Sequence, residues 1–174
     1  MSPKSIPMAP IPASLLKDPL HLLSVGFGSG LLPKAPGTFG TLAAIPLYLL
    51  LVLYTSEAVY IIATSSGFVL GIFLCERTTR ALAVQDHPGI VWDEIIGFLI
   101  TMLFIVPDLT SILLGFILFR IFDILKPWPI SVIDSRIKGG VGVMLDDVLA
   151  GGFALVCMQL IARFTGIIET TVLI

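Results

Sequence analysis

The stretch GVGVMLDDVLAGG, residues 140–152, sets two adjacent carboxylates, Asp146 and Asp147, inside an apolar, glycine-rich run. The apolar residues continue to Phe164, so the run reads as a membrane helix that begins at about Asp146. One unpaired charge in an apolar medium is costly, and two like charges side by side are worse. The pair therefore reads either as a helix cap or as ligands to a cation that offsets the repulsion.

The whole chain supports the membrane reading. Of 174 residues, 56% are hydrophobic and 13% charged, and the mean hydropathy is +1.04. A soluble domain carries about 25% charged residues to keep its surface wet. The formal net charge of -2 excludes the basic face of a nucleic-acid binder. Cys75 and Cys157 both lie in apolar runs, which reads as packing and not as a disulfide framework. Residues 1–19 form a polar, proline-rich lead without the apolar core and cleavage site of a signal peptide. Residues 20–174 read as a single membrane-embedded domain.

PLHLLSVGFGSGLL, residues 19–32, is too short to span and predicts an interfacial or re-entrant helix. PKAPGTFG, residues 33–40, is a loop. Spans are expected at Thr41–Tyr54 and Ala58–Cys75, followed by a polar stretch from Glu76 to Trp92. A hairpin of two helices then runs from Asp93 to Leu125, broken at PDLT and ended by KPWP. Residues 131–145 are polar and glycine-rich, and the last span runs from Asp146 to Phe164. The expected fold is an all-α, polytopic membrane bundle with short or broken helices.

With a cytoplasmic N-terminus, Lys4, Lys17, Lys34, Arg77, Arg80, Arg120, Lys126, Arg136 and Lys138 all fall on the cytoplasmic side. Only Arg163 fits poorly, so the pattern is strongly positive-inside. The same assignment gathers Asp86, Asp93, Glu94, Asp123, Asp134, Asp146 and Asp147 on that face. Segments far apart in sequence thus deliver carboxylates and cations to one membrane–water boundary.

Taken singly, each motif has a bland alternative. Asp93 and Glu94 in VWDEIIG are about 100° apart on a helix and share a site only near its start. Acidic residues also favour helix starts through the dipole. Gly97, one turn on, admits a close neighbour. Arg120 and Asp123 in FRIFDILKP share a helical face, either as a local ion pair or with Arg120 and Lys126 gripping phosphate. In LLPKAPGTFGT, Lys34, Gly37 and Thr38 sit in a loop before a helix, where backbone N–H groups cradle anions, although Walker A spacing is absent. His87 reads as a solvated loop histidine, or as an acid or base. Trp92 and Trp128 fit an interfacial belt.

Together, GxGLxPKAPGTxGT (28–41), DHPxIVWDExxG (86–97), FRxFDxxKPxPI (119–130) and GxGVMxDDxxAG (140–151) resemble the phosphatidylglycerophosphatase A family, over nearly the whole chain. The resemblance implies a Mg²⁺-dependent lipid phosphatase of the bacterial inner membrane, acting on phosphatidylglycerophosphate at the cytoplasmic boundary of the bilayer. It implies metal ligation by Asp93, Glu94, Asp146 and Asp147. Lys34, Arg120 and Lys126 then neutralise phosphate, with Gly37 and Thr38 beside them, and either Asp123 or Asp86 takes the proton of an attacking water or an aspartate attacks covalently. Other phosphatase signatures, such as C-x₅-R and D-x-D-x-[TV], are absent. A transporter would need polar groups at mid-span, where the chain offers mainly Leu, Ile, Phe and Gly.

Overall fold

The computed structural model describes residues 10–84 and 87–171. Lys4 and Asp86 lie outside them. Three helices are long and apolar enough to cross a membrane: α2 (Pro36–Tyr54), α3 (Glu57–Leu82) and α7 (Gly139–Thr165). These join four others: α1 (Pro19–Ser24), α4 (Trp92–Thr101), α5 (Leu109–Leu125) and α6 (Ile130–Arg136). At 17 residues α5 is at the lower end of spanning length. Among the described residues there is no strand beyond one isolated bridge, Ile105–Thr170. The chain is an all-α membrane bundle with short and broken helices.

Local chemistry starts and stops these elements. Pro36 opens α2, where its missing N–H costs nothing. Ser56 caps α3 through the Val59 N–H. Asp108 and Ser111 form a reciprocal capping box on α5. The short apolar lead forms α1 and a 3-10 turn over Gly26–Leu31, as its length requires. Asp18 caps α1 and also pairs with Arg77 of α3 at 2.9 Å.

Three expectations need correction. The segment after Asp93 is not a helix to Val106, because α4 stops at Thr101. Pro107 disfavours helix at the residue before it, and Phe104 takes a left-handed φ of 64°. Nearly all of α4 is buried, and an apolar surround leaves no water for the carbonyls of a broken helix. Other elements answer them. Tyr60 donates to the Leu99 carbonyl at 2.7 Å and Tyr48 to that of Ile105 at 2.9 Å. The C-terminal segment completes the set: Thr171 N–H donates to Phe104, and Val106 N–H donates to Glu169.

Second, α7 begins at Gly139, so Asp146 and Asp147 lie two turns inside it and cap nothing. Its cap comes from α3, where Glu76 accepts the Gly140 N–H at 2.7 Å. For that α3 runs past the span expected to end at Cys75 and on to Leu82, into the polar stretch that follows it. Third, Trp92 is not in an interfacial belt. It is buried and donates Nε1–H to Gly67 at 3.0 Å. Trp128 is exposed and fits the belt.

The helices pack through small residues, as they must where lipid supplies no hydrophobic drive for association. A Cβ on Gly97 would lie 2.9 Å from the Asp147 carbonyl oxygen, and one on Gly151 would strike the carbonyl of Gly97. Thus α4 and α7 meet backbone to backbone. Large apolar side chains face outward instead, including Leu113, Ile117, Ile121 and Ile124 of α5.

Removing the Tyr60 hydroxyl strands the buried Leu99 carbonyl. Tyr60→Phe should lose about 1–3 kcal/mol of stability, read as a lower thermal midpoint in detergent. A wild-type midpoint would show that the α4 terminus does not depend on that bond.

Candidate active site

The backbone seam between α4 and α7 sets the acids. Asp93 and Glu94 lie in the first turn of α4, and Asp147 lies on the face of α7 turned toward them. One carboxylate oxygen from each falls within 4.8 Å of the others. Asp93 and Asp147 are buried, and the Glu94 side chain is 13% exposed. Asp123, in the last turn of α5, adds a fourth carboxylate facing Asp147 and Glu94. Arg120, one turn earlier, places Nη1 2.6 Å from Asp123 and 3.8 Å from Glu94. One guanidinium does not neutralise four carboxylates. Oε2 of Glu94 is buried and accepts no hydrogen bond. An all-oxygen donor set with such an oxygen suits a hard divalent cation.

The PKAPGT segment reaches the same point, and it is not the loop expected over residues 33–40, because α2 already begins at Pro36. A Cβ on Gly37 would strike Glu94 Oε1 and lie 3.1 Å from Arg120 Nη1. Glycine there lets the first turn of α2 lie directly on the acid and its cation. That turn carries the positive end of the helix dipole, which favours an anion, while the Thr38 and Phe39 N–H groups donate to the Ala35 carbonyl. Thr38 is half-buried beside it, and Lys34 is exposed on the approach.

Asp146 is a sequence neighbour of Asp147, but about 100° around the helix from it. It is not among the three grouped acids. Its Oδ2 lies 2.5 Å from Lys126 Nζ, which also holds Asp134 of α6 at 2.6 Å. Lys126 therefore bridges two carboxylates and ties the end of α5 to α6 and α7. Burial works against its charge, but hydrogen bonds and attraction from Asp134 and Asp146 outweigh it and raise its pKa above the ordinary lysine value.

His87 is buried in a turn, not solvated, and its Nδ1 accepts the Gly89 N–H at 3.1 Å. His21, to which the sequence assigns no role, is buried against the Thr78 hydroxyl at 2.9 Å. Sequence reasoning missed Glu76. The available signal was a glycine start for α7 with only Lys138 before it, which leaves the helix without a capping side chain of its own.

An integral membrane bundle that brings carboxylates, an arginine and a helix N-terminus together at one end is the architecture of a membrane-embedded phosphate-ester hydrolase. Comparison with known proteins agrees. The family model for phosphatidylglycerophosphatase A matches residues 22–162. The phosphatidylglycerophosphatase A of Haemophilus influenzae is 46% identical over 84% of this chain and 91% of its own length. That of Escherichia coli is 44% identical over 78% of this chain and 79% of its own. A Bacteroides thetaiotaomicron relative named as a putative phosphatidylinositol-3-phosphatase is 40% identical over 82% of this chain and 92% of its own. No solved structure gives a significant match. The chain belongs to the phosphatidylglycerophosphatase A family. It is a phosphatase, a hydrolase of phosphoric monoesters.

Because the Lys126 pKa is raised on folding, its bridge stabilises the protein at all pH values below the unfolded lysine pKa of about 10.4. The contribution is lost only as pH rises through the higher folded value. Lys126→Met should therefore cost about 1–3 kcal/mol, a deficit in thermal midpoint that stays flat between pH 6 and pH 9. A deficit that disappears within that range would rule out the charged bridge.

Proposed function

We propose that the chain hydrolyses the terminal phosphate of phosphatidylglycerophosphate to give phosphatidylglycerol. On this reading it is a Mg²⁺-dependent step of phospholipid biosynthesis at the bacterial inner membrane, with the site on the cytoplasmic face. The carrying observation is the grouping of Asp93, Glu94 and Asp147 within 4.8 Å, beside Arg120 and the first turn of α2. The lysine and arginine distribution supports the orientation. The two relatives named phosphatidylglycerophosphatase A support the substrate.

Asp93, Glu94 and Asp147 would hold Mg²⁺, which when bound supplies Lewis acidity to the phosphoryl group and acidifies a water. The chain does the rest. The first turn of α2, with Gly37 and Thr38, receives the phosphate, and Lys34 screens its charge on entry. Arg120 stands between Asp123, Glu94 and the phosphate, where it offsets charge that develops on the equatorial oxygens. Asp123 accepts the proton of the attacking water. Lys126 acts one step removed: it fixes Asp146 and Asp134, and so the phase of α7 that aims Asp147.

The test is phosphate release from phosphatidylglycerophosphate by detergent-purified protein. Release should need Mg²⁺ and stop with EDTA. Asp147→Asn should lower kcat by roughly 10²–10³ with the lipid KM nearly constant. A variant with wild-type kcat would remove Asp147 from the site. A single turnover in heavy-oxygen water should put the label in the released phosphate and none on an aspartate, whereas labelled aspartate would replace direct water attack with a covalent route.

A further inference from the structure

Arg163 departs from the one-sided pattern of lysine and arginine, and nothing at the acid site calls on it. It lies in the last turn of α7. At about 1.5 Å of rise per residue, it stands roughly 24 Å along the helix from Asp147. Other contacts mark the same end. Helix α2 runs from Gly37, which lies against Glu94, to Tyr54, and α3 turns back from Glu57. The Thr171 hydroxyl donates to Glu57 at 2.7 Å, and its N–H donates to Phe104. The C-terminal segment thus sits at the α2–α3 turn, at the end of the bundle opposite the acids.

A groove of about 930 Å³ opens there, bounded by α7, Phe104 and the C-terminal segment. Val156 and Leu160 form part of its apolar wall and are 56% and 51% exposed, so that wall is open to the surroundings. For a membrane bundle those surroundings are acyl chains and not water. The volume is within the range of roughly 300–1,000 Å³ that ligand clefts occupy. A lipid fills it, and the lining decides which lipid.

Acyl contacts do not discriminate, because the tails of one lipid resemble those of the next. The charges do. Arg163 and Glu169 both line the groove and are both exposed. Among the described residues neither side chain joins an ion pair, with the other or with a third group. The helix dipole favours a cation in the last turn of α7, which accounts for Arg163 and leaves Glu169 without a reason. Two opposite charges that share a groove without meeting each other suit a ligand that carries both signs itself. A phosphate answers Arg163 and an ammonium answers Glu169. An anionic head group would be repelled by Glu169, and an uncharged one would leave both side chains unmet.

We infer that the groove binds a zwitterionic phospholipid with a primary amine, drawn from the leaflet opposite the acid site. Its phosphate rests on Arg163, its ammonium on Glu169, and an acyl chain runs along Val156 and Leu160. Such a site requires only the membrane bundle and is independent of the reaction at the acids.

The test places an indole in the groove with Val156→Trp in the full chain, reconstituted in phosphatidylcholine vesicles. The vesicles are doped with brominated phosphatidylethanolamine, phosphatidylglycerol or diacylglycerol of matched chains. Quenching of the added indole, after subtraction of the signal of Trp92 and Trp128 measured without it, reports each lipid's occupancy. Phosphatidylethanolamine should be favoured over phosphatidylglycerol roughly threefold to fivefold, and over diacylglycerol at least as strongly. Glu169→Gln in this background should erase the preference over phosphatidylglycerol. Arg163→Gln should reduce the preference over diacylglycerol by a similar factor. Both side chains are exposed, and an unchanged thermal midpoint in each variant separates a lost site from a lost fold. Equal quenching by the three lipids overturns the site, as does a preference for phosphatidylglycerol, which would make Arg163 a plain anion contact. A preference that survives both substitutions overturns it too, since the lipid would then be chosen elsewhere.

Discussion

The structure depends on one contact, the backbone-to-backbone approach of α4 and α7 at Gly97 and Gly151. Neither helix could deliver the site alone. Asp93 and Glu94 sit at the start of a ten-residue helix, and Asp147 sits two turns into a long one. Only when the helices touch without intervening side chains do the three carboxylates come within 4.8 Å. The requirement propagates outward. A helix that short, buried on nearly every face, ends inside the bundle, so Tyr60, Tyr48 and the C-terminal segment must supply its hydrogen bonds.

Charge is the second constraint, and two arrangements handle it. Around Asp147 the carboxylates outnumber the single guanidinium of Arg120, which is tolerable for a group that binds a cation and poor for one that does not. Around Asp146 the balance is internal, with Lys126 between two acids. Adjacent aspartates in the chain thus serve opposite purposes. One joins the acids of α4 in a single group, and the other is held by Lys126, which ties together α5, α6 and α7.

Much of this was legible in the sequence. Composition and apolar runs implied the membrane bundle, and the four motifs converge at one end as their charges suggested. Asp93, Glu94, Asp123, Asp147, Arg120 and the first turn of α2 at Gly37 come together. What was not legible lay in partners distant along the chain. The start of α7 at Gly139 is set by Glu76 of α3, and the end of α4 by hydroxyls from α2 and α3. The separation of Asp146 from Asp147 depends on helix phase and on where Lys126 reaches, neither of which adjacency reveals.

The seam also divides the chain by how freely it can drift. The outward faces, such as Leu113, Ile117, Ile121 and Ile124, meet lipid tails that do not distinguish one aliphatic side chain from another. They are interchangeable at small cost. Gly97 and Gly151 have no such latitude, since a single methyl group at either wedges the helices apart and moves carboxylates that it never touches. Inactivating changes in this protein should therefore arise at residues without any chemistry of their own, and most of its hydrophobic bulk should be mutationally quiet.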